Sequence, residues 1–167
     1  MQKSYSIWII AFLSIILASI TFYQVVTAVF SENKFSSLEQ VQQFIQTQPE
    51  VTMYKDFNEK FEGPIPENEI HHTYAVFNNH GKKIKFIWLE FEDNKKAKEY
   101  YLLYNQRFED QTILNDLERT FFDDYSYRTL VLQEVKIFCY QNKKWVMIME
   151  GENDEVTNLW NLYLKTL

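Results

Sequence analysis

The sequence predicts an α+β protein: an N-terminal transmembrane helix followed by a two-layer sandwich whose antiparallel sheet is built from two ββα units. Three observations carry this. Residues 7–30, IWIIAFLSIILASITFYQVVTAVF, contain no charged side chain. Beyond them, alternating apolar positions mark two hairpins, one turning at Asn78–Gly81 and the other at Gln141–Lys144. Each hairpin runs into an acidic stop and then into apolar residues at helical spacing.

A helix rises about 1.5 Å per residue, so the uncharged run is long enough for the roughly 30 Å hydrocarbon core of a bilayer. In lipid the backbone must satisfy itself, which makes a helix its most stable form. Ser14, Ser19, Thr21 and Thr27 fit such a helix by bonding the carbonyl one turn back, and Trp8 and Tyr23 sit near its ends, where amphipathic rings favour the interface. The chain then divides into a cytoplasmic N-terminus (1–6), a single-pass anchor in the cell membrane (7–30) and an extracytoplasmic domain (31–167). The outward orientation follows from the positive charges, one lysine on each side of the helix (Lys3 and Lys34) and the amino terminus before it. The rival reading is a signal peptide cleaved after Val26-Thr27-Ala28, which makes the protein secreted. One lysine ahead of the run, and an apolar stretch beyond the 7–15 residues usual for a signal, favour the retained anchor.

All 23 acidic residues follow the anchor, as do the 17 basic ones except Lys3, leaving the domain one charge more negative than the chain's −6. Such a charge excludes nucleic acid as the expected partner. It also opposes adhesion to anionic lipid, so contact with membrane lipid falls to residues 7–30. Cys139 is the single cysteine. With no intramolecular disulfide, packing alone must hold the domain, and Phe138 and Tyr140 beside it mark the thiol as a small apolar strand residue.

The elements follow in order. Ser37 and Gln40 form a capping box, Leu38, Val41, Phe44 and Ile45 make one apolar helical face, and Pro49 ends it. Val51, Met53 and Tyr54 suggest a short strand, and Gly63-Pro64-Ile65-Pro66 a loop. Tyr74–Phe77 and the alternation of Ile84, Phe86 and Trp88 form the first hairpin. Glu92-Asp93-Asn94 stops it and caps a helix buried along Ala97, Tyr101, Tyr104 and Phe108. Ile113, Leu114, Leu117 and Phe121 suggest a further short helix. Leu130–Tyr140 reads as one long strand, with Trp145, Met147 and Met149 alternating on the next. Gly151-Glu152-Asn153-Asp154 caps the last helix, lined by Val156, Leu159, Trp160, Tyr163 and Leu167.

Chemistry-bearing motifs are scarce. Glu67, Glu69, His71 and His72, with His80 at the hairpin tip, form the densest set of metal-ligand types. Strand alternation sends His71 and His72 to opposite faces, so Glu69, His71 and His72 remain weak candidates and no metal is expected. The chain has three glycines and no phosphate-cradling loop, so no cofactor is expected. No G-x-S-x-G elbow occurs, and the acidic pairs Glu92-Asp93, Glu109-Asp110 and Asp123-Asp124 suit solvated loops and caps, so no catalytic residue is expected.

The last lead is apolar surplus. Lys85, Ile87 and Leu89 share one register of their strand, and Ile84, Phe86 and Trp88 the other, so both sheet faces are apolar. Coverage of the second face, for example by residues 35–66, is the expected explanation. The alternative is a docking surface around Trp88, Trp145 and Met147. The expected function is a non-catalytic, membrane-anchored extracytoplasmic interaction module that binds a protein or envelope ligand through the sheet face or an adjacent groove. The competing readings are a membrane-tethered hydrolase or other enzyme, and an accessory subunit of a membrane complex that packs through Ala11, Ser14 and Ala18.

Overall fold

A computed structural model describes residues 38–48, 50–57, 61–79, 81–121 and 124–166. The predicted membrane span, 7–30, lies outside them. Among the described residues no helix is long and apolar enough to cross a membrane.

The elements are α1 (Leu38–Gln46), β1 (Val51–Tyr54), β2 (Glu69–Asn79), β3 (Lys82–Phe91), α2 (Asn94–Gln106), β4 (Asn115–Phe121), β5 (Tyr125–Leu132), β6 (Val135–Asn142), β7 (Trp145–Glu152) and α3 (Asn153–Thr166). The seven strands form one antiparallel sheet in the order β1-β2-β3-β7-β6-β5-β4. The two long hairpins therefore meet at its centre, where β3 pairs with β7 and sets Phe86 opposite Met149 and Trp88 opposite Met147.

The α+β class holds, with one correction to the layering. A two-layer sandwich places both hairpin-following helices on one face, whereas here they take opposite faces. On the first, Ile87, Leu89, Cys139, Val146 and Ile148 pack against Ala97, Tyr100, Tyr101 and Tyr104 of α2 and against Phe108. The alternate strand positions face the other way. There Phe138 lies 4.0 Å from the ring of Trp160 on α3, and Phe86 lies 6.3 Å from Phe44 on α1. Phe44 in turn meets Tyr163 of α3 edge to face at 6.0 Å. The physical reason is the apolar register on both sides of β3 and β7. Each large side chain buried contributes roughly 1.5–3 kcal/mol, and a bare second face forfeits that for every such residue.

Two sequence expectations fail locally. The short helix at Ile113–Phe121 is instead the edge strand β4. Ile113, Leu117 and Phe121 are spaced by four, a multiple of the strand period as well as nearly one helical turn, so their spacing does not discriminate. Between them Asp116 faces Arg128 of β5, which donates to it from Nε at 3.0 Å and Nη2 at 2.7 Å. The long strand at Leu130–Tyr140 is a hairpin, β5 and β6, turning at Gln133-Glu134. Gln133 takes φ 53°, a left-handed conformation its sequence does not advertise. The cap is as expected: Asp93 accepts from the Lys96 amide at 2.9 Å.

A buried amide ties three chain segments together beyond the sheet ladder. Gln141 is fully buried, and its Nε2 donates to Asn94 Oδ1 at 2.7 Å, to the Lys143 carbonyl at 2.7 Å and to the Asp124 carbonyl at 3.1 Å. These acceptors belong to the start of α2, the β6–β7 turn and the β4–β5 loop. Gln141→Leu keeps the volume and removes the donor from all three, although the Asp124 carbonyl keeps the Lys143 amide at 2.7 Å, so it is expected to cost about 2 kcal/mol, read as a lower urea midpoint at unchanged slope. An unchanged midpoint means that the acceptors are satisfied without it.

Candidate functional site

Charged side chains converge where the last turn of α2 crosses β3 and β7. The register sets Lys85 directly opposite Glu150, a favourable cross-strand pair. Lys85 Nζ donates to Glu150 Oε1 at 2.8 Å and to Glu62 Oε2 at 3.0 Å. The other Glu150 oxygen accepts the Tyr104 hydroxyl at 3.1 Å. Glu62 arrives from the loop that precedes Gly63 and Pro64, and that loop is pinned by the Tyr100 hydroxyl donating to the Pro64 carbonyl at 2.9 Å.

Arg107 follows α2 directly. Its guanidinium lies over two rings, 5.0 Å from the centre of Tyr104 and 4.8 Å from that of Phe108. Its Nη1 stands 3.7 Å from Glu150 Oε2, an ion-pair distance beyond hydrogen-bond reach. Beside it opens a groove of about 500 Å³, whose lining combines Arg107, Glu62 and Glu150 with Phe108, Leu132, Val135 and Ile137.

The protonation states follow from these contacts. The hydrogen bond from Lys85, helped by its charge, holds the Glu62 carboxyl below the usual glutamate range. Burial pulls the Lys85 ammonium down, but the hydrogen bond and charge of Glu150, then those of Glu62, outweigh it and leave its pKa raised. Burial, reinforced by the Glu150 charge, keeps the Tyr104 phenol neutral well above the ordinary tyrosine range. The cluster is a compensated network with fixed charges.

The residues singled out from sequence lie elsewhere. His71 and His72 do point to opposite faces. His71 Nδ1 meets Glu90 Oε2 at 3.0 Å, whereas His72 Nδ1 meets Glu69 Oε1 at 3.4 Å and its Nε2 the Lys55 carbonyl at 2.7 Å. His80 lies outside the described residues. Among the described residues no three His, Cys, Asp or Glu side chains converge to hold a metal. Trp88 and Met147 are each 2% exposed, and Trp145, half-buried, sets its ring 6.2 Å from that of Trp88 and tilted by 42°. Cys139 is fully buried, and burial pushes its thiol pKa far up.

Sequence reasoning passed over Lys85, Arg107 and Glu150 because no motif links them. The available signal was a charge on an inward-facing strand register: Lys85 shares its register with buried Ile87 and Leu89, and Glu150 with buried Val146 and Ile148.

No protein-family model and no curated protein matches the chain. Among solved structures it is similar to the crystal structure of a GTP binding regulator from Thermotoga maritima, with 16% sequence identity and a TM-score of 0.48 over 78% of this chain and 83% of that one.

Proposed function

We propose that this chain is a membrane-anchored interaction module, its domain facing outward, that binds a protein or envelope ligand without transforming it. The observation that carries the reading is the groove beside Arg107: a concave, part-apolar surface with a few fixed charges, the usual form of a ligand site. The sheet face around Trp88 and Met147 gives up its claim as the docking surface, since those side chains are buried. The electrostatics also favour holding over chemistry. A carboxylate acting as general acid needs a raised pKa, and Glu62 is shifted the other way by Lys85. The uncharged run at 7–30 supports the anchor, and Lys3 ahead of it fits the orientation.

Two variants of the full chain, each adding one cysteine, test this in intact cells, because the native thiol at Cys139 is buried and silent. Lys95 is a solvent-exposed side chain on α2 and Val135 stands on the groove rim, 40% exposed. With a membrane-impermeant maleimide, Lys95→Cys is expected to label rapidly in intact cells. Val135→Cys is expected to label slowly there and rapidly after purification, as its occupant is lost. Labelling of Lys95→Cys only after lysis overturns the orientation. Equal rates for Val135→Cys in cells and in the purified chain overturn an occupied groove.

A further inference from the structure

Resting on that reading, we propose that the groove binds a carboxylate carried on an apolar chain, with the Arg107 guanidinium as its anchor. The acceptors and donors of the cluster are unevenly matched. Both oxygens of Glu150 already accept, one from Lys85 and one from Tyr104. Arg107 reaches that carboxylate only at 3.7 Å, and among the described residues its Nη1 has no hydrogen-bond partner. The guanidinium is therefore held in place by two aromatic rings and by charge, and its buried Nη1 is left without a hydrogen-bond partner among the described residues.

A guanidinium so fixed presents a planar fork of donors, and a carboxylate is the planar acceptor that matches it two bonds at a time. Glu62 and Glu150 carry two negative charges; Lys85 stands between them and offsets one, and Arg107 balances the other. Phe108, Leu132, Val135 and Ile137 give the lining its apolar surface, beside the polar side chains of Gln111, Thr112 and Gln133. A ligand that satisfies both the guanidinium and the apolar surface has an anionic head and an apolar body. The volume of about 500 Å³ lies within the range of small-ligand sites and suits an acyl chain of about eight carbons, or the last two or three residues of an apolar peptide C-terminus. Either source carries the same chemistry.

The test uses the full chain in lipid nanodiscs, with empty discs subtracted. Four probes are titrated: octanoate, octanol, an N-acetyl tripeptide ending in leucine with a free carboxylate, and the same tripeptide amidated. At least one carboxylate is expected to bind saturably, with its neutral counterpart at least about tenfold weaker. Preference for octanoate assigns a free acyl ligand, and preference for the acid tripeptide assigns a protein C-terminus. Arg107→Gln is expected to lose about tenfold in affinity, and Val135→Asp, which sets a charge on the apolar rim away from the ion pairs, a similar factor. Octanol binding as tightly as octanoate, wild-type affinity in both variants, or no binding by either carboxylate overturns the proposal. If neither carboxylate binds while Val135→Cys stays protected in cells, the ligand class is wrong and the interaction module stands. If a carboxylate binds the purified chain but Val135→Cys is unprotected in cells, the site has the chemistry and the interaction module falls.

Discussion

Raising the pH above 10 is expected to unfold the domain within one to two pH units. Burial raises the phenol pKa of Tyr100, Tyr101, Tyr104, Tyr140 and Tyr163 well above the ordinary value of 10.0. In the unfolded chain the same phenols ionise near 10. A group whose folded pKa is raised contributes stability below its unfolded pKa, and that contribution is lost as pH climbs toward the folded one. Each withheld proton is worth about 1.4 kcal/mol per pH unit, so these five phenols together remove on the order of 7 kcal/mol per unit once the unfolded-state groups are ionised. Domains of this kind have about 5–15 kcal/mol in total. Cys139 acts in the same direction, and from lower pH, because burial raises its thiol from an ordinary value of 9.0. The phenolate absorbance of these five of the eleven tyrosines should therefore appear in the same steep transition as the loss of far-ultraviolet circular dichroism. Ionisation of all eleven phenols with the dichroism intact means that these rings are open to solvent.

Those tyrosines also mark how far the sequence could be read. Tyr101, Tyr104 and Phe108 recur at helical spacing, and all three are buried beneath or just beyond α2 as that spacing predicts. Ile84, Phe86 and Trp88 alternate, and they lie on one face of β3. Local period identifies the buried residues well because burial is decided by the face on which a side chain stands. It does not say which layer covers that face. Helices α2 and α3 follow similar hairpins yet take opposite sides, which depends on the β3–β7 pairing at the centre of the sheet. Gln133 hides a turn because neither it nor Glu134 is a residue that favours one. The groove was illegible for the same reason as the layering. Lys85 and Glu150 stand far apart in the chain and meet only through the register of β3 and β7, while Arg107 looks like any charged residue at the end of a helix.

That central register also sets the last expectation, at Gly151. It pairs with Ile84 of β3 on one side and Lys136 of β6 on the other. A Cβ built there stands 2.8 Å from the Lys83 carbonyl oxygen and 3.2 Å from the Ile84 Cα. Both obstacles are backbone, held in the sheet, so no rotamer change relieves them. Gly151→Ala is expected to cost about 2–3 kcal/mol, toward the upper end for overpacking, and Gly151→Val more. Gly81 provides the contrast. It takes φ 83° in the β2–β3 turn, and a Cβ there meets nothing within 4 Å. Gly81→Ala therefore suffers only the conformational penalty, about 1 kcal/mol. Thermal and urea melts should rank the two in that order, and the reverse order overturns the close approach at 151. The strand can escape the clash only by moving β7 away from β3, and Glu150 is the next residue along it. Its carboxylate would then leave Lys85 and swing toward Arg107, the group with donors to share. Gly151→Ala should for that reason weaken carboxylate binding in the groove even under conditions where the variant stays folded, whereas Gly81→Ala, at the distant turn, should leave that affinity unchanged.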